Sequence, residues 1–129
     1  MDYQVENWVK LRNECSVLDM FLKLKEGSKH DVDERNAIPK PGQNASFRIR
    51  FQNEKGFSVI REGQYPFDWV DVSWDNLGIY VKNRDEAVVY KATITLTDEG
   101  ECALRLSTGE ELNCWQFRKK ILEGLLFNF

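Results

Sequence analysis

Histidine occurs once in this 129-residue chain, methionine twice, and cysteine and proline three times each. A histidine-based catalytic triad, a two-histidine zinc site or a facial triad would therefore have to be built on His30 alone. The cysteines, Cys15, Cys102 and Cys114, are odd in number and show neither CxxC spacing nor closely repeated pairs. That pattern predicts three unpaired thiols packed as small apolar groups. No run approaches the ~18 consecutive apolar residues of a membrane-crossing helix, and the N-terminus lacks the charged-then-apolar order of a signal peptide, so a cytoplasmic protein without a membrane partner is expected. Gly-rich phosphate loops, a nucleophile elbow and kinase signatures are also missing, and no cofactor is expected.

What is present is the composition of a packed domain. Hydrophobic residues make up 42% and aromatics 12% of the chain, well away from the polar profile of disordered segments. The length suits one core, so residues 1–129 are read as a single domain. Eighteen Lys and Arg stand against 21 Asp and Glu, a net charge of −3. Affinity for nucleic acid is built on neutralising phosphates, so nucleic acid is not the expected partner.

The first third reads as helix. Leu18, Phe21, Leu22 and Val32 recur at helical spacings while Lys23, Glu26 and Lys29 fill the opposite side, and Ser16 followed by Asp19 marks a helix start. Gly27 is a candidate interruption, and 21–25 also alternates as a strand would. Val5, Trp8, Val9 and Leu11 suggest a separate short helix before it. Pro39 and Pro41 then end the helical region.

From Phe47 the period changes to two. Phe47, Ile49 and Phe51 alternate with Arg48 and Arg50; 57–61 follows a turn; Val70, Val72 and Trp74 lead through Asp75-Asn76 into 77–82, the clearest hairpin in the chain. Segments 87–96 and 102–106 complete six strands whose short connections require an antiparallel meander. Asn113 and Gln116 form a capping pattern for a last helix, whose apolar face is assigned to Trp115, Ile121, Leu122, Leu125 and Leu126. The expected fold is α+β: N-terminal helix, six-stranded antiparallel meander, C-terminal helix packed on the sheet.

Candidate chemistry is sparse. His30 shares a helix face with Asp33 and Glu34, but nothing supplies the remaining metal ligands, and the face reads as solvated charge pairing. Asp31 and Asp33 begin like a calcium loop, yet position six is Asn36 and position twelve Gly42, so the motif fails and no metal is expected. Cys102 and Cys114 are the candidate nucleophiles, Cys114 the stronger because it opens a helix. Arg48 and Arg50 share one strand face and form a candidate anion site. Tyr65, Phe67 and Trp69 gather in a loop between two strands, where rings serve as contact anchors or close the end of the core. Phe127 and Phe129 near the C-terminus dock on their own sheet or form a homodimer contact.

No family is recognised in these residues. By fold-level analogy alone, the pattern resembles small inhibitor or immunity-type binding proteins and helix-over-sheet proteins that enclose a ligand. The first reading is a non-enzymatic module binding another protein. The second is a small-molecule carrier or enzyme with a pocket between the sheet and the C-terminal helix. The volume left inside the sheet separates them.

Overall fold

A computed structural model of the chain describes residues 7–63 and 65–129. Among these residues are three helices and one sheet. Helix α1 spans Trp8–Glu14 and buries none of its residues; Val5, expected to belong with it, lies outside the described residues. Helix α2, Val17–Asn36, starts where the sequence places it: Ser16 Oγ accepts a hydrogen bond from the Asp19 N–H at 3.1 Å.

Helix α2 runs unbroken through Gly27. The glycine serves packing instead. A Cβ there would lie 2.4 Å from Arg118 Nη1, so the missing side chain lets Arg118 of the last helix lie across α2 and pair with Asp31 at 2.8 Å. The buried stripe of α2 is also rotated from the expected one. Met20, Phe21, Leu24, Ser28, Val32 and Arg35 face the core, while Leu18 and Leu22 remain largely exposed.

Seven strands, not six, form a meander in the order β1-β2-β3-β4-β5-β6-β7, each pair antiparallel. They are β1 Ser46–Asn53, β2 Gly56–Glu62, β3 Asp68–Asp75, β4 Gly78–Lys82, β5 Val88–Leu96, β6 Cys102–Leu106 and β7 Glu111–Leu112. The extra strand is two residues long, too short to show a period. Strand register places Phe47, Val59, Val72, Val81, Ala92 and Leu104 on one face, which α2 and α3 cover. Among the described residues, neither α2 nor α3 covers the other face.

Helix α3, Cys114–Phe127, opens with a reciprocal capping box: Asn113 Oδ1 accepts from the Gln116 N–H and Gln116 Oε1 accepts from the Asn113 N–H, both at 2.9 Å. It buries Phe117, Ile121, Leu122, Leu125 and Leu126. Trp115, assigned to that face from sequence, is 56% exposed, and Phe117 occupies the place it was given. The space between helices and sheet is filled by side chains, among them Phe21, Leu24, Phe57, Val59, Ile79, Phe117 and Leu122, all essentially inaccessible.

The largest correction concerns the thiols. Cys15, between α1 and α2, and Cys102, the first residue of β6, are joined as a disulfide with their Cα atoms 5.3 Å apart, a separation a bridge requires. Eighty-seven residues separate them, and only the packing of the α1–α2 junction against the sheet brings them together. Cys114 remains a free thiol.

Candidate functional site

The open face of the sheet gathers two groups of residues that look unrelated in sequence. Arg48 and Arg50 project from β1, Ile60 from β2 and Trp69 from β3, and Phe67 closes the end; together they line a groove of about 640 Å3. Register explains the convergence, because Arg48 lies opposite Ile60 and Ile60 opposite Trp69, so adjacent strands carry the three side chains in one row.

The cations in this groove differ. Arg48 Nε donates to Glu62 Oε1 at 2.8 Å, both side chains being about half exposed; such a pair contributes ~0–1 kcal/mol. Arg50 has no hydrogen-bond or ion-pair partner among the described residues and stays exposed. Beside it, Ser58 is buried because Gln52 and Asp71 close over it: Gln52 Nε2 donates to Ser58 Oγ, which donates to Asp71 Oδ1. This polar row stiffens the floor of the groove. His30 lies on α2, on the other side of the sheet, so it cannot complete a triad with Ser58 and Asp71.

The aromatic loop is held at two adjacent carbonyls. Arg61 Nη2 donates to the Pro66 carbonyl at 3.2 Å and Arg84 Nη1 to the Phe67 carbonyl at 3.0 Å. Tyr65 is 85% and Phe67 53% exposed, their rings 6.3 Å apart and edge to face. Rings fixed through their backbone yet left in water give contact area at little entropic cost. Gly63 permits the loop's close start: its φ is +87° and a Cβ would lie 2.7 Å from the Asn44 carbonyl oxygen.

The two tail aromatics go elsewhere. Phe129 is half-buried on its own sheet, its ring 4.1 Å from the Arg61 guanidinium and 6.2 Å from the Phe47 ring. Phe127 stays partly open over Arg35 and Lys40, at a shallow groove of about 340 Å3 between α2 and α3 that Ile38 and Trp115 also line.

Two buried arginines escaped the sequence reading. Arg61 Nη1 donates to the Leu125 carbonyl at 3.0 Å, and Arg35 Nε to the Leu126 carbonyl at 2.9 Å. Both meet the C-terminal end of α3, where unpaired carbonyls and the helix dipole favour positive charge. The signal existed: period two puts Arg61 inward with Phe57 and Val59, and helical spacing puts Arg35 in line with Leu24, Ser28 and Val32.

The remaining candidates carry little chemistry. His30 Nε2 sits 3.6 Å from Glu34 Oε1 on an exposed helix face, and among the described residues no three His, Cys, Asp or Glu side chains converge as a metal site would need. Cys102 is in the disulfide. Cys114 begins α3, half-buried, with Arg118 Nη1 3.5 Å from its sulfur. Burial is the largest single influence and works against the Arg118 charge, but the hydrogen bonds to Asp31 and Cys114 and the attraction of both groups together outweigh it, so its pKa is raised. No helix among the described residues is long and apolar enough to cross a membrane. Comparison with protein-family models, curated proteins and solved structures finds no match to this chain.

Proposed function

We propose that this chain is a protein-binding module that engages its partner with the groove at the β1–β3 end of the open sheet face. The observation that carries this reading is the convergence of Arg48, Arg50, Ile60, Phe67 and Trp69 in one groove, with Tyr65 standing free beside it. Interfaces concentrate their energy in a few aromatic and arginine anchors surrounded by near-neutral contacts, and this groove has that composition. A ligand carried between the sheet and α3 finds that space occupied by Phe57, Val59, Phe117 and Leu122. A disulfide suits an oxidising compartment better than the reducing cytoplasm, so the proposed setting for binding is an oxidising one.

The test is capture from native extract by immobilised protein, identification by mass spectrometry, and titration of the purified partner against variants. Trp69→Ala and Phe67→Ala should each weaken binding about 30-fold, the loss expected of a hot spot worth ~2 kcal/mol. Phe127→Ala, outside the groove, should leave affinity within about twofold. Equal affinity for wild type, Trp69→Ala and Phe67→Ala would sink the proposal.

A further inference from the structure

Strand β1 is an edge of the sheet, and part of that edge is open. In an antiparallel ladder a residue turns both its N–H and its C=O toward the same side, and the side alternates along the strand. The Phe47 N–H donates to Asn36 Oδ1 at 3.1 Å and the Phe47 carbonyl accepts from Asn36 Nδ2 at 2.7 Å, so Phe47 faces away from β2. Ile49 and Phe51, two and four residues on, face away too. Their outward N–H and C=O groups have no partner among the described residues. Asn36 thus acts as a one-residue surrogate strand at Phe47, and the register shift after Phe51 ends regular pairing at the other side. Between them lies a window of four backbone groups.

Cations stand on both sides of this window. On the open face stand Arg48 and Arg50. On the helix side Lys25 lies 4.7 Å from the Phe51 ring, and Leu22, Lys29 and Glu26 complete a shallow groove of about 390 Å3 against that ring. Four cations therefore flank the edge against Glu26, Glu62 and Asp71, a local excess of one positive charge on a chain whose net charge is −3. Leu22 and Phe51 are 46% and 48% exposed, which leaves an apolar strip for alternate side chains of an added strand.

We propose that an extended acidic segment of the partner protein adds to β1 as an eighth strand, pairing with Ile49 and Phe51 and placing carboxylates against Arg48 and Arg50. Main-chain pairing supplies affinity in this mode, and the alternating side-chain sites supply selection. A second copy of this chain is the other natural occupant of a free edge, but antiparallel β1–β1 pairing through Ile49 and Phe51 sets Arg50 directly opposite Arg48 or Arg50 of the other copy. Like charges so placed are destabilising and are a usual device against edge-to-edge association. The inference rests on the protein-binding reading and names the partner element.

The probe is a blocked eight-residue peptide alternating glutamate and valine, with a lysine–valine counterpart as control, followed by amide NMR and hydrogen exchange. At ten times its Kd the acidic peptide should slow exchange of the Ile49 and Phe51 amides about tenfold, and the basic peptide should not. N-methylation of the peptide amides that would face β1 should abolish binding, whereas methylation of the alternate set should retain it. This comparison leaves the protein untouched. Arg50→Glu should weaken the acidic peptide about tenfold or more, as loss and reversal of a facing charge requires. Three results would overturn the proposal: no shift at millimolar peptide; shifts at Phe67 and Trp69 without protection of Ile49 and Phe51, which leaves the groove reading standing; or a peptide-free dimer that protects those amides, which assigns the edge to a second copy. Partner capture that survives Trp69→Ala would instead fail the groove reading without touching the peptide result.

Discussion

Reduction of the Cys15–Cys102 bridge tests the fold where the sequence is least informative. The bridge closes a sequence separation of 87 residues. In the chain-entropy treatment a loop of that size removes ~15 cal/mol/K from the unfolded chain, or about 4.6 kcal/mol at 25 °C. Native bridges of this kind contribute ~2–5 kcal/mol on removal. With ~2.1 cal/mol/K of unfolding entropy per residue over 129 residues, that range corresponds to a fall in Tm of roughly 7–18 °C. Local effects should appear first at α1, which buries none of its own residues and is tethered through Cys15. The assay is calorimetric melting with and without a phosphine reductant, with redox state verified by alkylation and mass. Denatured but unreduced protein should take up one alkyl group, at Cys114, and fully reduced protein three. A verified reduced protein melting within about 2 °C of the oxidised one would refute the reasoning.

Leu122→Ala should cost about 2–5 kcal/mol in urea unfolding, through lost burial and a residual cavity, while Trp115→Ala on the same helix should change stability by less than about 1 kcal/mol; equal losses would contradict the observed face of α3. Gly78→Ala should destabilise by about 1–3 kcal/mol or more, because its Cβ would lie 2.3 Å from the Ala92 carbonyl oxygen in the middle of the sheet, and an unchanged denaturation midpoint would show that approach to be wrong. Asp75 accepts from the Leu77 and Gly78 N–H groups at 2.8 and 3.2 Å and from the Tyr80 hydroxyl at 3.0 Å. The Leu77 hydrogen bond is the main cause holding its pKa below the ordinary 3.8. A carboxyl with a depressed folded pKa stabilises fully above its unfolded value and loses that contribution as pH falls through the folded one, so the advantage of wild type over Asp75→Asn should be constant near neutrality and vanish in acid. An advantage that grows below pH 3.8 would contradict the assignment.

Elements with a strong local signal were legible from sequence. Ser16 and Asn113 start their helices because capping is a short-range hydrogen bond between residues three apart, and the Asp75-Asn76 turn and the alternation of Phe47, Ile49 and Phe51 are equally local. Alternation also carried the α+β class, since six recognisable strands on short connections leave little choice but an antiparallel meander. The face assignments were less secure. The sequence reading puts Trp115 inside, whereas the helix turns Phe117 to the core; it assigns Arg35 and Arg61 to neither side, although both periods point inward.

Tertiary structure alone decided the pairing of Cys15 with Cys102, the clearance that Gly27 gives Arg118, and the meeting of Arg48 and Arg50 with Phe67 and Trp69. Each joins residues whose separation in the chain carries no local energetic trace. Arg48 reaches Trp69 only through the register of two intervening ladders, and the open edge at Ile49 and Phe51 is defined by Asn36 reaching across from the end of a helix. Apart from the two-residue β7, the sequence by itself determined which segments become helix and strand, because capping, turn chemistry and periodicity act within a few residues. Which of those segments' side chains share a groove was decided by packing, because burial of the α2 and α3 stripes selects one arrangement of the layers and every long-range contact follows from it.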